Sequence, residues 1–419
     1  MMNQPTWTYL PFGIVLLLIA VMPISFPRFW CENRNKAIVC TIIALPVFVF
    51  NFIYFPERLL QSMEEYICFI LMLSALFIIS GGILVEGDLK ASPGTLTIFL
   101  LIGAVISNLI GTTGASMLLI RPLLQTISER KHILHIPVFF IFVVSNIGGS
   151  LTPLGDPPLF LGYIRGVPFT WTLGLLPQWI TAVGVLLAIF YFWDRHSYSK
   201  EEMEDIKRDN EVRIPLSVHG KINFVFLMAV VLSIFFQTPA PVRELVFLGA
   251  MALSLYFTQK DVREQNRFTY HPIIEVAVLF AAIFVTMVPW LSALHMNGSS
   301  LGITEPWQFF WITGGLSSFL DNAPTYVALA SLGESVTRSI AHTGTVVSGI
   351  GVRTDLLAAI SCGAVFMGAL TYIGNGPNLM VKSIAEEHGV KVPHFFQYML
   401  YSGVVLIPTF VLVTLVFFI

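Results

Sequence analysis

The chain has 419 residues, of which 23 are Lys or Arg and 25 are Asp or Glu, so 11% are charged against 55% hydrophobic, with a mean hydropathy of +0.78. Soluble domains average about 25% charged residues, so the composition excludes a water-soluble enzyme and describes an all-α integral membrane protein whose partner is the lipid bilayer. A formal charge of −2 offers no basic face and excludes nucleic acid as a partner.

The first apolar run, residues 11–27, has no basic segment before it and no small-residue cleavage pattern after it, and reads as a retained span. At about 20 apolar residues per crossing, full spans are expected near residues 8–25, 36–55, 66–84, 136–162 and 172–193. A second set is expected near 221–237, 242–258, 272–290, 355–385 and 394–419. Cys31, Cys40, Cys68 and Cys362 form no C-x-x-C pair, and most sit in apolar runs as small packing residues. Residues 194–220 are rich in Lys, Glu, Asp and Arg and read as a cytoplasmic linker between a first repeat, 1–193, and a second, 221–419.

Two apolar segments, residues 93–130 and 305–333, each divide into two arms of about 12 residues around a polar tip, too short to cross about 30 Å of hydrocarbon. Each reads as a re-entrant hairpin, whose tip must be buried in protein or face a wet cavity; a single kinked helix is the alternative. With a returning hairpin each half crosses five times, and five is odd. The second half is therefore expected to be inverted, as in many secondary transporters.

Basic residues divide unevenly across this topology. One side collects Arg28, Arg34, Lys36, Lys90, Arg130, Lys131, Arg195, Lys200, Lys207, Arg208, Arg213, Lys221, Lys260, Arg263, Arg267 and Lys391, and the other keeps Arg58, Arg165, Arg243, Arg338 and Arg353. The positive-inside rule makes the first side cytoplasmic and puts both termini outside, as expected for a multi-pass protein of a bacterial inner membrane.

Four polar interruptions fall at matching places in the two halves. The tips read Ser107-Asn108-Leu109-Ile110-Gly111-Thr112-Thr113 and Ser317-Ser318-Phe319-Leu320-Asp321-Asn322-Ala323-Pro324-Thr325. Broken helices over about 136–162 and 355–385 carry Ser145-Asn146-Ile147-Gly148-Gly149-Ser150-Leu151-Thr152-Pro153-Leu154-Gly155-Asp156-Pro157-Pro158 and Thr371-Tyr372-Ile373-Gly374-Asn375-Gly376-Pro377-Asn378. Gly and Pro at this density free backbone carbonyls and amides at membrane depth. Half-helix C-termini then offer oxygens to Na⁺ and half-helix N-termini offer positive dipole ends to an anion. Taken singly, each interruption also suits simple helix packing.

Asp156 and Asp321 stand out, since a carboxylate within an apolar span costs about 2.5 to 3.5 kcal/mol. A proton and Na⁺ would compete for such a carboxylate, which is the physical basis of antiport; the alternative is that either Asp caps a half-helix. Neutral ligands, or groups holding the broken backbone open, are expected from Ser107, Asn108, Thr112, Asn146, Thr152, Asn322, Thr325, Asn375 and Asn378. No transition-metal site and no cofactor is expected; Na⁺ and H⁺ are cargo. Glu86, Asp88 and Glu275 are expected at headgroups or in loop water. Arg121 and Lys382 are placed either to snorkel or to neutralise an aspartate.

With these motifs in hand, the sequence resembles the ion transporter superfamily, which includes NhaD-type Na⁺/H⁺ antiporters, a citrate-transporter-like family, arsenite pumps and Na⁺-coupled dicarboxylate carriers. The most specific pieces are residues 318–325, 147–158 and 368–378, and the likeness covers nearly the whole chain. The resemblance implies two inverted repeats with a hairpin each, a homodimer built on a scaffold, and an elevator-like movement of the hairpin-bearing part. In the dicarboxylate carriers a Ser-Asn-Thr triplet at each tip binds Na⁺ and substrate carboxylate. Here Ser107-Asn108 is followed by Leu109, and Asp321-Asn322 occupies the second tip, a poor partner for an anion. The reading that follows is Na⁺/H⁺ antiport, with Asp156 and Asp321 as titrating ligands. Na⁺-coupled uptake of citrate or another carboxylate is the nearest alternative, and an intramembrane aspartyl protease a remote one, since its Gly-x-Gly-Asp signature is absent.

Overall fold

The structure is a computed structural model that describes residues 5–203, 215–339 and 344–419; Lys207, Arg208 and Arg213 of the basic set lie outside the described residues. The first half contains α1 (Leu10–Ser25), α2 (Pro27–Trp30), α3 (Asn33–Tyr54), α4 (Pro56–Ser80), the strand β1 (Leu84–Glu86), α5 (Pro93–Thr126), α6 (His135–Val143), α7 (Pro157–Ile164) and α8 (Leu176–Tyr198). The second contains β2 (Ser217–His219), α9 (Asn223–Phe235), α10 (Val242–Phe257), α11 (Lys260–Gln265), α12 (His271–Asn297), α13 (Pro306–Ser317), α14 (Asn322–Ser339), β3 (Val346–Val347), β4 (Val352–Arg353), α15 (Thr354–Met367), α16 (Gly376–Glu387) and α17 (Phe395–Phe417). β1 pairs antiparallel with β2, Val85 opposite Val218, and so ties the end of α4 to the start of the second half.

The fold is all-α apart from these short strands, and seven stretches among the described residues are long and apolar enough to cross a membrane. Proline opens many of the helices, at a first turn that needs no amide donor. Large apolar side chains face outward along α3 (Ile42, Phe52) and α17 (Leu400, Val404), which suits a surface solvated by lipid.

α12 is clasped by α3 and α4. Pro289 inside α12 has no amide hydrogen for the carbonyl one turn earlier, and Asn51 of α3 supplies it, donating to Val285 O at 3.1 Å. Ser62 and Tyr66 of α4 donate to Phe284 O at 2.7 Å and to Ala277 O at 2.9 Å. Glu275, expected at headgroups or in loop water, keeps its side chain 35% exposed and pairs with the buried Lys36 of α3 at 2.7 Å.

α5 doubles back on itself. Gly111 lies at φ 79°, ψ 154°, a conformation essentially confined to glycine, and breaks the helix there. A Cβ on Gly103 would stand 3.3 Å from Leu119 Cδ1, whereas these residues would be about 24 Å apart on one straight helix. α13 and α14 pack against each other in the same way around residues 318–321, with Gly333 next to Phe309.

Asp194, expected to open a polar linker, is fully buried, because α8 continues to Tyr198. It accepts from Arg130 Nη2 at 2.6 Å and contacts His135 Nε2 at 2.9 Å, which pins α8 to the turn between α5 and α6. A buried charge persists only where it is paired in this way.

Candidate functional site

The first tip and the first break interlock through short polar side chains. Ser107 shares its one hydroxyl hydrogen between Gly103 O and Val144 O, and Asn108 donates to Ala104 O and Gly148 O while accepting from Leu151 N. Thr152 donates to Asn108 O. The second tip and break use the same device: Ser317 donates to Ala364 O, Ser318 to Gly314 O and Met367 O, and Thr371 to Ser318 O. These three residues take the places of Ser107, Asn108 and Thr152: Ser317 stands five residues before Asn322 as Ser107 does before Thr112, and Thr371 four before Asn375 as Thr152 does before Asp156. They were not singled out as ligands, although the matched spacing of the motifs carried the signal.

Glycine is obligatory where the two breaks turn. A Cβ on Gly155 would run into the Gly149 carbonyl, and one on Gly374 would stand 2.6 Å from Gly368 O. The close approach leaves Gly155 O free to accept from Thr112 N at 2.8 Å, which fixes the first tip over the first break.

Asp156 and Asn375 occupy equivalent places as the residues preceding α7 and α16, with nearly the same backbone, φ −145°, ψ 144° and φ −151°, ψ 140°. Asp156 does not cap its own helix. Its buried carboxylate instead accepts Thr112 Oγ1 at 2.7 Å and Asn375 Nδ2 at 3.1 Å on Oδ1, and Asn322 Nδ2 at 2.5 Å on Oδ2. Thr112 and Asn322 hold equivalent positions on the two tips. Both hairpins and both broken helices therefore meet at one carboxylate.

Among the described residues no basic side chain hydrogen-bonds Asp156 or Asp321. Lys382 pairs with Glu386 at 2.6 Å and lies over the Tyr372 ring, and Arg121 Nη1 is buried with no hydrogen-bond partner among the described residues. The N-termini of α7, α14 and α16 all lie beside the Asp156 carboxylate, since Asp156 precedes α7, its partner Asn322 begins α14 and its partner Asn375 precedes α16, and a helix start carries partial positive charge. Asp321 behaves otherwise: its Oδ1 accepts from Ala323 N at 3.1 Å, so it caps α14. Thr325 donates back to Asp321 O rather than toward Asp156.

The remaining candidates hold the second break. Asn146 donates to Ile141 O and to Asn378 Oδ1, and Asn378 donates to Gly368 O and Thr371 O. Among the described residues no three His, Cys, Asp or Glu side chains are grouped as a metal cluster. A cavity of about 60 Å³ touches Thr112 and Gly155 and opens toward α4 and α12. A larger one of about 430 Å³ lies beyond the other end of α7, lined by Arg58, Glu65, Arg165, His295 and Glu334. Arg165 there pairs with Glu65 of α4 at 2.7 Å.

A family model described as "Putative citrate transport" matches residues 1–418. An uncharacterized transporter of Synechocystis sp., slr0753, is 22% identical over 334 residues, which cover 73% of this chain and 72% of that protein. These matches set the protease reading aside. The chain belongs to the family described as "Putative citrate transport", and it is a multi-pass membrane transporter.

Proposed function

We propose that the protein exchanges Na⁺ or Li⁺ for H⁺, with the Asp156 carboxylate taking up the cation and the proton in turn. The observation that carries this reading is the setting of Asp156: buried, excused from capping its own helix, and held, among the described residues, by neutral donors alone. A carboxylate already neutralised by Arg or Lys would gain little from a cation; one held by hydroxyl and amide hydrogens can trade them for an ion or a proton. The hairpins and broken helices would move together against α3, α4 and α12, breaking the Arg165–Glu65 pair on the way.

Uptake of citrate with Na⁺ is the second reading, favoured by the family's description and by the three helix starts gathered around one point, a common anion seat. Asp156 itself fills that seat. The test is addition of Na⁺ to everted vesicles that hold an acid interior reported by a pH dye. Dequenching is expected, and the half-saturating Na⁺ should fall as pH rises, by about tenfold per unit where a single proton competes. Na⁺-dependent entry of radiolabelled citrate without dequenching would favour the second reading instead.

A further inference from the structure

Asn375 stands where the pseudo-equivalent residue is Asp156, and its amide nitrogen has unusual surroundings. Asp156 Oδ1 lies at 3.1 Å, Asn146 Oδ1 at 3.2 Å and Ser145 O at 3.3 Å from Nδ2. An amide nitrogen has two hydrogens, so it cannot serve three acceptors well. The acceptors belong to a carboxylate, a side-chain amide and a backbone carbonyl, all on residues at most 4% exposed. Hard cations take this kind of oxygen shell.

We propose that the transported cation binds where the Asn375 amide nitrogen lies, coordinated by Asp156, the Asn146 side chain and the Ser145 carbonyl. This deepens the antiport reading and rests on it. The Asn375 side chain swings aside to admit the ion, and its own amide oxygen then faces the ion as a fourth ligand. Asn375 is thereby the specificity-determining residue for charge. With one carboxylate and otherwise neutral oxygens, the shell cancels a single positive charge. A divalent ion of equal size would leave an uncancelled charge in a buried site, which is strongly unfavourable. An aspartate at 375 would supply the missing carboxylate, and calcium affinity rises with ligand charge count.

Calcium is close to sodium in size, so competition between the two ions separates charge from fit. The full chain, purified in detergent, is assayed for binding of ²²Na⁺, with unlabelled Li⁺ and Ca²⁺ as competitors. In the wild type, Li⁺ displaces the label and Ca²⁺ does not. Asn146→Ala weakens ²²Na⁺ binding by about tenfold or more, roughly what the loss of one ion-dipole contact removes. Asn375→Asp makes Ca²⁺ the stronger competitor. Equal displacement by Ca²⁺ in the wild type overturns the proposal, as does unchanged selectivity in a monodisperse Asn375→Asp protein. If Asn375→Asp does not fold, the wild-type competition and Asn146→Ala still decide. Binding with the expected selectivity but without proton exchange in vesicles would remove the antiport reading and leave this cation site standing, whereas no ²²Na⁺ binding at all removes the site.

Discussion

Asp156 and Asp321 look alike in the sequence, as acids within apolar segments beside a half-helix start. The structure separates them by what each carboxylate does with its own helix: Asp321 accepts Ala323 N, and Asp156 accepts nothing from α7. Aspartate and asparagine cap helices about equally well. Asp321→Asn is therefore expected to keep both exchange activity and melting temperature near wild type, while Asp321→Ala loses about 1 kcal/mol of stability and melts earlier. Loss of exchange in a well-folded Asp321→Asn protein would return Asp321 to the ion path. Sequence could mark these acids as costly at membrane depth. It could not tell them apart, because capping depends on one side-chain rotation. Nor could it show that Asn322 and Asn375, from the second half, would reach Asp156.

At the scale of elements, the polar tip around Gly111 was legible, but its arms were not: they run from Pro93 to Ile110 and from Thr112 to Thr126, longer than the expected count of about 12. Nor was the full length of α4. Hydropathy places a span near 66–84, yet α4 starts at Pro56 and carries Glu57, Arg58, Glu64 and Glu65 through its first turns. Hydropathy measures the apolar stretch, whereas the helix continues past it for as long as its charges find water or partners, as Glu65 does in Arg165. The turn at Gly111 invites a direct test. Its φ of 79° with ψ 154° is strained for any L-residue, and a Cβ there would stand 3.2 Å from Leu154 O. Gly111→Ala is expected to cost about 1 to 3 kcal/mol, read as a lower melting temperature in detergent. A variant as stable as wild type would mean that the tip does not need this backbone.

Over the whole molecule, an all-α membrane fold follows from composition alone, and the order of helices, hairpin and broken helix occurs twice along the chain. What composition cannot supply is the convergence, because a long-range contact such as Asn322 to Asp156 depends on how the two halves pack. The orientation in the membrane can be read with the protein's own cysteines. Cys31 is exposed, whereas Cys40, Cys68 and Cys362 are buried, and Cys31 lies between Arg28 and Arg34 on the side expected to be cytoplasmic. A membrane-impermeant maleimide should label it in everted vesicles and not in intact cells with the outer membrane permeabilised; the opposite pattern would reverse the topology. The central claim is that one carboxylate, Asp156, exchanges cation for proton, and its most direct test is Na⁺-induced dequenching in everted vesicles carrying Asp156→Asn at wild-type abundance. The account predicts that the Na⁺ response disappears, since asparagine can neither release a proton nor cancel the charge of an ion; a response equal to that of the wild type would contradict it.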